Sequence, residues 1–251
     1  MVAPGARAWA RLVLRSRRMP ADEAVRQGPW LVIAPHPDDE GLGTGSLLAE
    51  IAATGGDASV AFLTDGAGSH CDAPGWSPAR VARARAEEGR HALRRLGVAH
   101  PPIPLGWPDA DPHPPGSPAF ERSVRALVAL CRRRGIRMVA VTWRGEPHCD
   151  HEAAAQLAIA VARRLRCVLY EYMVWGWTLP DLDTHLRGYR STAVDVARGR
   201  PRQRHAIACH RSQTGTRISG ARDAFRLPRA MIALAARPRL VLLSRRMSHA
   251  S

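Results

Sequence analysis

The run "WLVIA" at residues 30–34 has no polar side chain and no alternation. A strand with one face in water alternates, so a uniformly apolar run predicts a strand covered on both faces. "ASVAFLTDG" at 58–66 and "IRMVAVTW" at 136–143 read the same way. Segments with helical spacing fall between and after them. One covers 41–53 and is stopped by "TGG" at 54–56; others cover 80–98 and about 119–134, and a fourth grows out of the polar start of 146–165. A short extended piece, "PPIPLGW", occupies 101–107, and "CVLYEYMVWGW" at 167–177 is strand-like. Long loops are expected at 67–79 and at the Pro-rich 108–118. Strands alternating with helices, and no internal repeat, predict an α/β fold: a mostly parallel sheet with helices on both faces.

In such a sheet, ligands bind outside the carboxyl ends of the strands, where the strand order reverses. A 3-2-1-4-5 order places the first and fourth strands side by side at that reversal. The first ends at His36 and the fourth near Trp143, just before "GEPHCDH". Two polar clusters about 110 residues apart in sequence would then share one crevice.

Composition narrows the setting. The chain has 251 residues, 45% of them apolar, enough for one sizeable core. Its five cysteines are scattered, without any C-x-x-C, which argues against a disulfide framework and fits a reducing compartment. No apolar run approaches the ~18 residues of a membrane span. Arg7, Arg11 and Arg15 interrupt the N-terminal apolar residues, so no secretory signal is read and a cytoplasmic protein is expected. The formal charge is +15, and all 37 basic residues are arginine. Such a field attracts anionic partners, but with aromatics at 5% and no recognition motif, nucleic acid is not the expected one.

The acids of "HPDDE", residues 36–40, stand out against that charge. Helix capping explains an acid or two at a helix start. It explains neither His36 nor three adjacent carboxylates, whose mutual repulsion raises their pKa values unless a cation is near. In "HCDH", His148 and His151 are spaced i, i+3 at a helix start and project to one side. Two imidazoles and one carboxylate suit Zn²⁺ with a position left open for water. The assignment is His36, Asp39 and His151 as ligands, with Asp38 as general base. The glycines of "EGLGTG", Gly41, Gly43 and Gly45, followed by Asp65, suggest a dinucleotide loop. The spacing is G-x-G-x-G, however, and the three acids would repel a pyrophosphate, so helix-on-strand packing is the preferred explanation.

"APHPDDE" followed by "HCDH" resembles the PIG-L/LmbE-like metal-dependent N-deacetylases. "TDG" at 64–66, Arg85 and Glu88 of an R-x-x-E pattern, "LGWPD" ending at Asp109, and "HRSQ" at 210–213 extend the resemblance over about 29–213. It implies a Rossmann-like fold and zinc as the usual metal, with Fe²⁺ as another divalent option. The implied activity is removal of the N-acetyl group from a GlcNAc-type amino sugar, free or lipid-linked. It further implies that His148, oriented by Asp150, stabilises the oxyanion or protonates the leaving amine, and that Arg85 and Asp109 lie near the sugar. Two departures stand out: Pro35 precedes His36 where the family has alanine, and Cys149 replaces the proline of H-P-D-H. Glu146 also lies in "RGEP", where some members carry a tyrosine. The rival reading is a non-enzymatic module that binds an anionic partner.

By this reading the domain spans 29–213, flanked by basic extensions at 1–28 and 214–251, the latter packed on or near it. "ARAWARLVLRSRR" at 6–18 is expected to be an amphipathic helix. The arginine-rich ends, 1–18 and 222–246, raise the expectation of peripheral contact with an anionic membrane.

Overall fold

A computed structural model of the chain describes residues 4–215, 217–222 and 225–245. Parts of the arginine-rich ends, 1–3, 223–224 and 246–251, therefore lie outside the described residues.

The chain enters through α1 (Pro4–Arg15), β1 (Arg17–Pro20) and α2 (Ala21–Arg26). It continues through β2 (Trp30–Ala34), α3 (Asp39–Gly43), α4 (Gly45–Ala53), β3 (Ala58–Thr64), α5 (Pro78–Leu96) and β4 (Ile103–Trp107). Next come α6 (Pro118–Arg134), β5 (Met138–Thr142), α7 (Cys149–Leu165) and β6 (Val168–Tyr172). The chain then forms α8 (Leu182–His185), β7 (Arg190–Asp195), α9 (Arg200–Cys209), α10 (Arg229–Ala235) and β8 (Arg239–Ser244).

The strands form one sheet in the order β1-β7-β8-β6-β5-β2-β3-β4. Its β4-β3-β2-β5-β6 half is parallel throughout and has the 3-2-1-4-5 order expected from the sequence. Only β8 runs antiparallel, wedged between β6 and β7. Alternate residues of β2 enter opposite layers. Trp30, Val32 and Ala34 pack with residues of α4, α5 and α9, whereas Leu31 and Ile33 pack with residues of α6 and α7. Both faces of the strand are therefore dry, which is why its sequence carries no alternation.

Several local expectations are corrected. The helix expected over 41–53 is two helices, α3 and α4, broken at Thr44, and the first begins two residues earlier, at Asp39. The strand expected over 167–177 ends at Tyr172; Trp175 and Gly176 then lead a 3-10 turn. The basic leader contains β1, whose partner β7 is about 175 residues away, so no local pattern marks it. α1 is amphipathic as expected, but Trp9, Leu12 and Val13 are buried with Trp177, Leu182 and Leu186. What α1 turns outward is Arg7, Arg11, Arg15 and Leu14. Among the described residues no helix is long and apolar enough to cross a membrane.

The glycines after the acidic cluster serve packing, as expected. A Cβ on Gly43 would lie 2.0 Å from the Tyr172 ring, and one on Gly45 would lie 2.9 Å from Gln203 Cγ.

Candidate metal centre

The carboxyl ends of β2 and β5 adjoin, and β3, β4 and β6 end around them. After β2 the chain turns sharply. Pro35 still offers its carbonyl to Thr64 N–H at 3.0 Å, so the inserted proline keeps a bond to the end of β3. His36 N–H donates to Asp39 Oδ2 at 3.0 Å, and the same oxygen lies 3.2 Å from His36 Nδ1. Asp38 adopts φ 148°, a region that favours glycine and costs energy for other residues. Its surroundings hold it there. Asp38 N–H donates to Glu40 Oε2 at 2.9 Å, and Asp38 Oδ1 lies 3.2 Å from Arg85 Nη2. Arg85 also donates to the carbonyls of Pro37 and Gly66 at 3.0 and 3.1 Å.

The second cluster sits at the start of α7. His148 is its N-cap: the ring Nδ1 accepts from Asp150 N–H at 3.2 Å. One turn on, His151 is fully buried. Its Nε2 lies 3.4 Å from Asp39 Oδ2 and its Nδ1 3.3 Å from Glu146 Oε2, yet neither nitrogen has a hydrogen-bond partner. Buried imidazole nitrogens without partners are uncommon and call for an explanation. A cation supplies one, because one donor atom each from His36, Asp39 and His151 fall within 4.8 Å of one another. This is the set assigned from the sequence, and its two nitrogens and one oxygen suit a divalent transition metal such as zinc. His36, His148 and Asp150 form an overlapping second set.

The electrostatics fit a site made for a cation. Burial disfavours a charged His36, but contacts with Asp109, Asp150 and Asp39 outweigh it and raise the imidazole well above its usual pKa. Burial likewise pushes against ionisation of Asp39, yet His151 and His36 hold it down, at about 2. Asp38 moves the other way, to about 6: burial raises it, Arg85 opposes and Asp39 adds to it. His148 is lowered, first by burial and then by His36 and His151.

A cavity of about 240 Å³ opens over these groups. His36, Asp38, Asp39, Arg85, Asp109 and His148 line it, so most residues singled out in the sequence meet here. Asp150 is fully buried at its edge, and its role differs from expectation. The carboxylate is 4.0 Å from His148 Nδ1, too far to orient it; the Asp150 N–H does that instead. The carboxylate meets His36 Nε2 and accepts from Ala110 N–H, each at 3.0 Å. Arg85 and Asp109 reach the cavity but are also engaged with the protein. Asp109 accepts from Gly68 N–H at 2.7 Å and lies 3.1 Å from His36 Nε2.

One residue carries more than its sequence context suggested. Glu146 is buried, and its carboxylate accepts from the N–H groups of Val174, Trp175 and Gly176 at 2.9, 2.6 and 2.9 Å while facing His151. An acid two positions before the second motif was its only local signal. The cavity's other wall, Leu42, Val174, Trp175, Phe225, Leu227 and Met231, had no signal at all.

Fold and site together define a Rossmann-like α/β protein with a two-histidine, one-carboxylate centre at the carboxyl edge of a mostly parallel sheet. The chain belongs to the family described as PIG-L: GlcNAc-PI de-N-acetylase, which matches residues 31–162. A deacetylase of 1D-myo-inositol 2-acetamido-2-deoxy-alpha-D-glucopyranoside from Mycolicibacterium paratuberculosis is 35% identical over 123 residues. That match covers 41% of this chain and 40% of the relative, so the chain spans well under half of the relative's length. N,N'-diacetylchitobiose deacetylase from Pyrococcus horikoshii shares the fold at TM-score 0.58 and 20% identity, over 85% of this chain and 81% of that one. The 4-carboxy-2-hydroxymuconate hydratase GalB from Pseudomonas putida also shares it, at TM-score 0.58 and 21% identity, over 75% and 81%. The fold therefore hosts more than one chemistry, and the functional reading has to come from the site.

Proposed function

We propose that this protein is a metal-dependent N-deacetylase that hydrolyses the N-acetyl group of a GlcNAc-type amino sugar, releasing acetate and a free amine. The observation that carries the reading is the partnerless His151 imidazole, set with His36 and Asp39 beneath a cavity that Asp38 also lines. His36, Asp39 and His151 would hold the ion, with zinc as the proposed metal. When bound, a divalent cation supplies Lewis acidity that polarises a carbonyl oxygen and acidifies water.

The chain's own groups account for the proton movements. Asp38 is the base: its carboxylate faces the cavity, and a pKa near 6 leaves it ionised at neutral pH yet able to take a proton from water. Arg85, paired with Asp38, keeps it charged and fixes its direction. At neutral pH a lowered pKa keeps His148 uncharged. Because His148 Nδ1 accepts from Asp150 N–H, the ring's proton sits on Nε2, free to donate to the acyl oxygen as negative charge develops there. The proton taken by Asp38 goes on to the departing nitrogen as the C–N bond breaks, so one water is consumed per acetate released. Asp150 and Asp109 act through His36, both carboxylates meeting its Nε2.

The proposed substrate is a small or lipid-linked N-acetylated sugar. A cytoplasmic setting accords with five cysteines that are all free thiols. The test is metal analysis of the purified protein with an acetate-release screen over N-acetylated sugars. The reading predicts about one equivalent of divalent metal and acetate release abolished by chelation. A metal-free protein inert on every N-acetyl sugar, before and after zinc is added back, would overturn it.

A further inference from the structure

The catalytic cavity has two chemically different walls. One carries the charged groups described above. The other is formed by Leu42, Val174, Trp175, Phe225, Leu227 and Met231 and offers almost nothing but hydrocarbon. Trp175 and Phe225 are only partly buried and pack against each other with ring centroids 5.5 Å apart at 55°. Apart from Leu42, these residues all lie beyond 31–162, the segment shared with the family. Met231 reaches the site from α10 itself, and Phe225 and Leu227 on the segment between α9 and α10. There Leu227 N–H donates to Gln213 carbonyl at 2.9 Å and Phe225 N–H to Ser69 carbonyl at 3.1 Å, so the backbone is anchored to the site's own loops.

A bare amino sugar is a poor fit to such a wall. Hydroxyls pressed against leucine, methionine and phenylalanine lose water and gain no partner, at a cost per group that outweighs the apolar contact. Leaving two partly exposed aromatic rings facing an open cavity is unfavourable as well. Both penalties vanish if the sugar turns its polar side to the charged wall and carries an apolar group that covers the other. Resting on the deacetylase reading, we infer that this wall is a subsite for an apolar aryl or alkyl substituent of the N-acetylated sugar. Phe225, Trp175 and Met231 then determine specificity for it. The substituent is either the aglycone at the anomeric carbon or an N-acyl chain longer than acetyl, and the same wall recognises both.

The test compares zinc-loaded protein on methyl, octyl and phenyl β-glycosides of N-acetylglucosamine, and on N-hexanoyl glucosamine methyl glycoside. Acid release is measured in each case. Binding of the corresponding 2-amino phenyl and methyl glycosides, the amine products, is measured by calorimetry without turnover. The inference predicts kcat/KM at least about tenfold higher for the phenyl or octyl glycoside than for the methyl one, or for the hexanoyl amide than for the acetyl. The first result places the substituent at the anomeric carbon, the second on the nitrogen. Phe225→Ala and, separately, Trp175→Ala should collapse the preference ratio to within about threefold. Both residues are partly exposed but also pack against the core, so folding of each variant is checked by urea titration alongside the kinetics. Equal kcat/KM across the series, or a preference that both variants leave intact, overturns the subsite while the deacetylase reading stands. Phenyl-selective, Phe225-dependent binding of the amine with no acid release from any amide keeps the subsite and overturns the deacetylase reading.

Discussion

Glu146→Gln isolates the most heavily used carboxylate in the protein. In the wild type Oε1 accepts from Val174 and Gly176 N–H, and Oε2 accepts from Trp175 N–H and faces His151 Nδ1. A carboxylate in that place favours a proton on Nδ1, which leaves the Nε2 lone pair directed toward Asp39 and any shared ion. In the variant, the amide oxygen best replaces Oε1, where it keeps two of the three backbone bonds. The NH₂ group then confronts Trp175 N–H and His151 Nδ1. One buried donor loses its acceptor, a cost of about 1–3 kcal/mol. The imidazole is also driven to the other tautomer, with its proton on Nε2, where it opposes metal binding. Loss of such a supporting carboxylate typically weakens metal affinity by about 10- to 100-fold. Glu146→Ala is the harsher comparison. It strands all three N–H groups, at about 3–9 kcal/mol by the same per-group figure, a large share of the ~5–15 kcal/mol that stabilises a typical domain. Zinc affinity by chelator competition and stability by urea titration are measured in parallel. The expected outcome for Glu146→Gln is a folded protein, modestly destabilised, with zinc affinity reduced by at least about tenfold. Wild-type zinc affinity in a folded Glu146→Gln protein would refute the claim that this carboxylate sets the His151 tautomer.

Asp38→Asn should keep near-stoichiometric metal and lower acetate release by about 10²–10⁴-fold, since asparagine matches aspartate in shape but cannot act as a base; retained turnover would reassign the base. Because burial raises Asp38 to about 6, activity should fall as pH drops through that value, or lower once a cation adds its own field. Arg85 opposes that rise, so Arg85→Gln should shift the acid limb of the pH–rate profile upward; a downward or absent shift argues against the pairing. His210 is buried 3.5 Å from Glu40, and although burial disfavours its charge, Glu40 raises its pKa above 6.5. A raised folded-state pKa means the pair's stabilisation is full below about pH 6.5 and is lost as pH rises through the folded value. The stability gap between wild type and His210→Gln should therefore narrow from pH 6 to pH 9 in urea titrations, and a constant gap would exclude a charged pair.

Much of this was legible in residue order. Uniformly apolar strands with helices between them dictate a parallel sheet covered on both sides, because only burial on both faces removes the need for alternation. The strand order then brings residues 36–39 and 148–151 together, and the metal set could be named because its chemistry is concentrated in two short motifs at strand ends. The break at Thr44, by contrast, arises where the tight turn of Asp38 and the packing of Gly43 on Tyr172 override helical spacing. β1 and β7 went unread for a similar reason: each finds its hydrogen-bond partners in strands distant in sequence.

Sequence alone thus determined the parallel half of the sheet, the two motifs and the candidate donor set, since each depends on side-chain type and local period. Tertiary structure decided what those donors lean on. Glu146 reads as a loop acid until β6 brings Val174–Gly176 over it, Asp150 turns its carboxylate to His36 instead of His148, and the apolar wall assembles from residues up to 189 positions apart, Leu42 to Met231. Such contacts depend on which surfaces the packed layers bring face to face, and no local pattern of residues encodes that.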